Sequence, residues 1–89
     1  MTHCEVRRLA RLYAPDGKKN LIGPRVRELR RAKGLSQEQM AAQLQLLGMD
    51  SERGVVKRIE NGSRFVTDLE LCLLAEYFQI SVAELLKRE

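Results

Sequence analysis

Apolar residues in this chain recur at intervals of three and four positions, a spacing that places them on one face of an α-helix. Between residues 21 and 86, glycine, proline and short polar stretches divide this pattern into five segments. Neither the alternating pattern of a β-strand nor an internal repeat occurs in the sequence. The pattern therefore predicts an all-α fold with five helices, preceded by a short N-terminal extension.

Two helices joined by a turn are predicted in the centre of the chain. Ser36 and Gln39 have the spacing of a capping box, so the first of the two helices should begin at Gln37. Gly48 can adopt the left-handed conformation that ends a helix, and a turn should follow at residues 49–50. The expected inward-facing residues are Met40, Ala41, Leu44 and Leu47.

A basic helix is predicted after this turn, over residues 52–61. Asp50 and Ser51 are suited to cap its N-terminus, and the Asn61-Gly62 pair is expected to end it. The expected inward-facing residues are Val55, Val56 and Ile59. A short helix, a turn and a basic helix form a unit that fits the major groove of DNA.

Three further helices are predicted around this pair. The first should begin at Gly23-Pro24, because proline in the first turn loses no backbone hydrogen bond, and it should end at Gly34. The other two follow the central pair and open with capping boxes. These boxes are Thr67 with Glu70, and Ser81 with Glu84.

A basic N-terminal extension is assigned to residues 1–20, and the helical domain to residues 21–89. A T-x-x-E capping box near the start favours a short helix, which can pack on the domain, pair with a partner chain or stay frayed. A turn is predicted at residues 15–17, and residues 18–20 are expected to form a linker.

The charge distribution agrees with a nucleic-acid partner. The net charge is +4, but residues 1–33 carry ten basic and three acidic side chains, which gives +7, whereas residues 34–89 carry six and nine, which gives −3. A basic segment of this kind is the electrostatic footprint of a nucleic-acid binder, although a solvated surface can have the same composition.

Cysteine and histidine usage argues against a metal site, a cofactor or an enzyme. Cys4 and Cys72 are widely spaced, and His3 is the only histidine. No pairing of a nucleophile with a base, no paired carboxylates on one face and no glycine-rich phosphate loop is recognisable. Without a signal peptide or a long apolar run, the expected compartment is the reducing cytoplasm, with both thiols free.

Three motifs follow one another in the helical region. They are R-x-x-R-x-x-x-G-L-S-Q from residue 27, I-E-N-G from residue 59, and L-x-x-L-A-x-x-F-x-I-S-x-x-E-L-L from residue 71. Together they resemble the lambda-repressor/Cro-like helix-turn-helix family, also called the XRE family, over residues 21–86. The resemblance implies a compact five-helix domain whose third helix lies in the major groove, commonly in a dimer on a palindromic operator.

The resemblance also implies roles for individual residues. Those expected to face base edges are Arg53, Gly54, Lys57 and Arg58. Those expected to contact DNA phosphates are Gln37 at the start of its helix, Arg27, Arg31, Asn61, Ser63 and Arg64. Arg30 and Glu60 correspond to a family pair that forms a partly buried salt bridge, so both are expected to be structural.

One interval departs from the family pattern. Gln37 and Glu60 are 23 positions apart, which is several residues longer than usual in the family. The additional residues lie between Gln45 and Asp50. They either lengthen the first helix of the central pair or widen the turn after it.

The leading hypothesis is a sequence-specific transcriptional regulator that binds double-stranded DNA, acting as a repressor and as a homodimer. Candidates for the dimer interface are the apolar residues Leu69, Leu73, Tyr77 and Leu86. The alternative hypothesis keeps the same fold but makes the protein an antitoxin or a protein-interaction module. In that case the basic extension is a partner-binding arm, and DNA binding is secondary.

Overall fold

The structure is a computed structural model that describes residues 16–49 and 53–86. Its five α-helices are α1 (Gly23–Ala32), α2 (Gln37–Leu46), α3 (Val55–Glu60), α4 (Asp68–Phe78) and α5 (Val82–Leu86), and the described part of the chain contains no strand. The all-α, five-helix fold is therefore confirmed. The helix predicted in the N-terminal extension and the capping roles of Asp50 and Ser51 lie outside the described residues.

Capping interactions determine where three of the helices begin. Ser36 accepts a hydrogen bond from the amide of Gln39, whose side chain accepts one from the amide of Ser36, at 3.0 and 2.8 Å. The same reciprocal arrangement joins Thr67 and Glu70 at the start of α4, and Ser81 caps α5. These contacts satisfy backbone donors that have no partner within the helix, so the starts follow from the local sequence.

The short helix α3 lies at the centre of the fold. It packs against both α1 and α2, while α5 packs against α1 and α4. The buried apolar residues are Ile22, Val26, Met40, Leu44, Met49, Val55, Val56, Ile59, Leu74, Ala75 and Leu85. A helix of only six residues is marginal in isolation, so the burial of its three apolar side chains is what holds α3 in place.

The connection between α2 and α3 differs from the prediction. After the end of α2, the left-handed backbone of Gly48 (φ +97°) turns the chain so that Met49 N donates to Leu44 O at 3.0 Å. Met49 is buried in the core, whereas Leu47, which the pattern places on the inner face, is 55% exposed. α2 ends at Leu46, so the helical spacing no longer determines which way Leu47 faces. α3 begins at Val55, so the long interval leaves eight positions between the two helices.

The helix predicted over residues 52–61 is shorter in the structure. Gly54 immediately precedes α3 and has a left-handed backbone, with φ +75°. A residue in this conformation cannot continue a right-handed helix, so Arg53 and Gly54 belong to the turn before α3. The glycine is required by this turn, since a side chain at a positive φ would be strained.

Candidate nucleic-acid interface

The first turn of α2 and the turn before α3 line one groove on the surface. Gln37 contributes to this groove from α2, and Arg53, Gly54 and Lys57 contribute from the other side. Arg53 and Lys57 are both exposed. The backbone N–H groups at the start of α2 add partial positive charge. The structure therefore brings together Gln37 and three of the four residues expected to face base edges.

Glu38 and Ala41 line the same groove, although sequence reasoning did not select them. A carboxylate can accept a hydrogen bond from the amino group of cytosine, and a small apolar side chain can contact the methyl group of thymine. The signal for these two residues was present in the sequence. The capping box fixes the start of α2, and residues three apart then share a face of the helix.

Glu60, the last residue of α3, is the centre of a polar network. Its fully buried carboxylate accepts hydrogen bonds from Arg30 Nε at 2.6 Å and Arg30 Nη2 at 3.1 Å. It also accepts from Gln37 Nε2 at 3.1 Å and from Arg27 Nε at 3.3 Å. The donors come from α1 and α2, so the network joins both helices to α3. The ion pair expected between Arg30 and Glu60 is part of it.

The network keeps Glu60 charged despite its burial. Burial by itself raises the pKa of the carboxyl group, because the ionised form loses its hydration. Hydrogen bonds from Arg30, Gln37 and Arg27 outweigh this effect, and the pKa of Glu60 lies below its ordinary value. The hydrogen bond to Glu60 raises the pKa of Arg30 in turn. Both partners are therefore ionised at neutral pH.

The same network anchors two of the residues expected to contact phosphates. Gln37 donates one of its two Nε2 hydrogens to Glu60, which leaves the second in a defined direction. Arg27 donates through Nε, and its side chain is still 43% exposed. Each side chain thus retains donors for a phosphate oxygen while its orientation is set from within the protein.

Arg58 and Arg64 are engaged by the protein itself. Arg58 Nη2 donates to the carbonyl oxygen of Arg53 at 3.2 Å, which ties α3 to the turn before it. Arg64 forms a bidentate ion pair with Glu70, in which Nη1 donates to Oε1 at 3.0 Å and Nη2 donates to Oε2 at 2.9 Å. These hydrogen bonds lower the pKa of Glu70. Arg58 thus bonds to the turn before α3, and Arg64 joins the loop after α3 to α4. The DNA contacts expected of the two arginines stay predictions.

The remaining predicted phosphate contacts lie on the surface. Asn61 and Ser63 are exposed in the loop after α3, where Asn61 Oδ1 accepts from Ser63 N at 3.0 Å and from Ser63 Oγ at 2.7 Å. This local turn fixes the backbone of the loop. Arg31 is exposed on α1.

Residues 18–20, expected to form a linker, are instead bonded to the loop after α3. Lys19 N donates to Gly62 O at 2.8 Å, and the Asn20 carboxamide bonds to α1, to the end of α3 and to the following loop. Sequence reasoning missed Asn20. The signal was an asparagine shortly before a predicted helix start, a position at which its side chain can accept from backbone N–H groups.

Two other observations concern only the described part of the chain. Residues 16–49 and 53–86 contain no group of histidine, cysteine or carboxylate side chains that could hold a metal ion. Among the helices of these residues, none is sufficiently long and apolar to cross a membrane.

The chain belongs to the family described as Helix-turn-helix domain, which matches residues 21–87. The match covers nearly the same residues as the resemblance found from the three motifs, and it confirms the helix-turn-helix assignment. Helices α2 and α3, which follow one another in the chain, are the two helices from which this family takes its name. No curated protein and no solved structure matched the chain.

Proposed function

We propose that this protein is a sequence-specific transcriptional regulator that binds double-stranded DNA with α3 and the turn before it in the major groove. The observation that carries the proposal is the groove in which Gln37, Arg53 and Lys57 converge beside the N-terminus of α2. The planar fork of arginine is suited to O6 and N7 of guanine, and lysine can donate to the same atoms. Membership of the helix-turn-helix family supports DNA as the partner.

The network around Glu60 supports separate roles for two groups of residues in this interface, one that contacts phosphates and one that contacts bases. Glu60 ends α3 and bonds to Gln37 on α2 and to Arg27 on α1, so the phosphate-binding groups are fixed relative to the base-reading helix. Phosphate contacts set the register of a protein on DNA, and base contacts specify the sequence. We assign phosphate contacts to these two residues and to Arg31, Asn61 and Ser63.

Selection of bound duplexes from a random pool, at two salt concentrations, tests the proposal. We expect the recovered sequences to share a palindromic motif that persists at the higher salt concentration. Enrichment of no motif, together with a steep loss of binding in salt, would leave only electrostatic attraction to phosphates and would contradict sequence-specific binding. A reporter promoter that carries the recovered motif should then be repressed by the protein, and activation would contradict the assignment as a repressor.

Arg53→Ala is expected to weaken binding to the selected duplex by about 1–3 kcal/mol, which is about one to two orders of magnitude in Kd. The variant removes an exposed guanidinium from the groove without touching the core. Titration of labelled duplexes measures the effect. Binding to a random duplex should change far less.

Lys33→Ala is the matched control for the loss of one positive charge. The Lys33 ammonium lies over the ring of Tyr77, 4.8 Å from its centroid, and does not line the groove. An equal loss on selected and random DNA for Arg53→Ala, or the same loss for both variants, would show that Arg53 does not read a base.

We also propose that the protein binds its operator as a homodimer, with Leu69 in the interface. Leu69 is 80% exposed on α4, whereas the other candidates Leu73, Tyr77 and Leu86 are partly buried against the core. A large apolar side chain with this exposure is suited to a symmetric contact. The two α3 helices of the dimer would then lie about 34–36 Å apart, one turn of DNA.

Leu69→Glu is expected to dissociate the dimer in sedimentation-velocity experiments at concentrations at which the unaltered protein is dimeric, because the charge would be buried in the contact. Leu46→Glu is the matched control, since Leu46 is 87% exposed at the end of α2. A monomeric unaltered protein would contradict the dimer. Dissociation by the Leu46 change but not by the Leu69 change would place the interface on α2.

A further inference from the structure

The segment before α1 is attached to the loop after α3 by several different contacts. Besides the bond from Lys19 N to Gly62 O, the Lys19 ammonium lies over the ring of Phe65, 5.4 Å from its centroid. The side chain of Lys18 lies directly against Gly62, where a Cβ atom would come within 2.6 Å of it. The chain entering α1 and the chain leaving α3 therefore pack as one unit.

The carboxamide of Asn20 is at the centre of this unit, and both its oxygen and its nitrogen form hydrogen bonds. Oδ1 accepts from the amides of Ile22 and Gly23 at 3.1 and 2.9 Å, which caps the start of α1. Nδ2 donates to the carbonyl oxygens of Ile59 and Arg64 at 3.1 and 2.8 Å. Two N–H donors on one side and two carbonyl acceptors on the other define the orientation of the amide.

We propose that Asn20 is a positioning residue for the DNA-binding surface, one that fixes the C-terminal end of α3 and the loop after it on the start of α1. The inference rests on the proposed function, because that loop carries Asn61 and Ser63. Asn20 itself makes no DNA contact in this proposal. It acts through the backbone of the loop, which its hydrogen bonds hold in place. Its amide links Ile59, the residue before Glu60, to Arg64 in the loop, and so sets the path of the residues between them.

Two substitutions remove the hydrogen bonds that Asn20 donates to Ile59 O and Arg64 O but keep the cap of α1. Asn20→Ser and Asn20→Asp both keep a side-chain oxygen that can accept from the α1 amides, but neither has an amide to donate to Ile59 O and Arg64 O. The serine variant introduces no charge, so it provides the test if the aspartate variant does not fold. Ser81→Ala, which removes the cap of α5, is the control for a general loss of stability.

Amide hydrogen exchange of the free proteins gives a readout that does not depend on DNA. Gly62 N donates to Ile59 O at 3.2 Å and Ser63 N donates to Arg58 O at 3.0 Å, so both amides report on the end of α3. We expect exchange at these two amides to be at least about tenfold faster in the Asn20 variants, while amides in α4 keep their rates. Unchanged exchange at Gly62 and Ser63 would overturn the proposal.

DNA affinity is then measured at a temperature at which all variants are folded. We expect the Asn20 variants to lose about tenfold or more in affinity for the selected duplex, as for the loss of a well-placed contact, and the Ser81 variant to lose none. Faster exchange with unchanged affinity would overturn the positioning role. If the unaltered protein selects no duplex, the proposed function fails, and the exchange rates alone decide whether Asn20 holds the end of α3.

Discussion

Replacing Glu60 by alanine is expected to lower the free energy of unfolding by about 3–5 kcal/mol at neutral pH. The change leaves the guanidinium group of Arg30, whose side chain is only 11% exposed, without the carboxylate that accepts from it at 2.6 Å. It also removes the acceptor for Gln37 Nε2. Urea denaturation of the two proteins measures the loss.

The ion pair between Arg25 and Glu28, in which the Glu28 side chain is 60% exposed, provides a matched control. Glu28→Ala removes a carboxylate from the surface, where such pairs contribute about 1 kcal/mol or less. Replacing Arg30 and Glu60 together by methionine should recover most of the loss, because no buried charge is then left unpaired. A loss for Glu60→Ala no larger than that for Glu28→Ala would contradict the structural role of the network.

The same variant should also change how stability depends on pH. Because the pKa of Glu60 is lowered in the folded protein, its contribution is complete above the carboxyl pKa of the unfolded chain and is lost as the pH falls through the lower folded-state pKa. Glu70, held by Arg64, contributes with the same sign. The unfolding free energy should therefore decrease below about pH 4, and less steeply for Glu60→Ala than for the unaltered protein.

Replacing Gly23 by alanine is expected to destabilise the protein by about 3 kcal/mol, at the upper end of the usual range for overpacked sites. A Cβ atom at this position would lie 2.6 Å from the carbonyl oxygens of both Ile59 and Glu60. These are backbone atoms and cannot rotate away, so α1 would have to move away from the end of α3. Urea denaturation measures the change, and specific DNA affinity should fall with it.

The sign of the change at Gly23 distinguishes the steric effect from helix propensity. Gly23 starts α1 with an ordinary backbone, and alanine is the better helix former by up to about 1 kcal/mol, so propensity alone would stabilise the protein. Gly34→Ala is the control, because Gly34 has a positive φ but open space around it, with an expected cost of about 1–2 kcal/mol. A Gly23→Ala variant as stable as the unaltered protein would contradict the close approach of α1 and α3.

The starts of α1, α2, α4 and α5 and most of the core were predictable because they depend on neighbouring residues. The capping boxes at Ser36 and Thr67 satisfy donors within three positions, and the apolar spacing identifies the buried faces of α1, α2 and α4. The prediction failed at Leu47 and Met49. There the chain leaves the helix, and periodicity no longer describes which side chain points inwards.

The candidate site was predictable to the extent that its residues lie in one continuous stretch. The motifs select Gln37, Arg53 and Lys57, and the structure places all three on one groove. Glu38 and Ala41 lie on the same groove, but no motif identifies them. The cap that Asn20 gives to α1 is a local feature, but its contacts with Ile59 and Arg64 were not predictable, because these partners are 39 and 44 positions away and no local pattern reports on contacts of that range.

The sequence by itself therefore determined the number and order of the five helices, the caps of α2, α4 and α5, and the helix-turn-helix family to which the chain belongs. Local hydrogen bonding and helical spacing act over a few residues, so they can be recognised in the chain directly. Only the tertiary structure decided that Arg53 and Gly54 precede α3 and do not belong to it. It alone also showed that Gln37 and Arg27 bond to Glu60 and that Asn20 bonds to the carbonyl oxygen of Ile59. These features depend on contacts between α1, α2 and α3, and these contacts form only when the core packs.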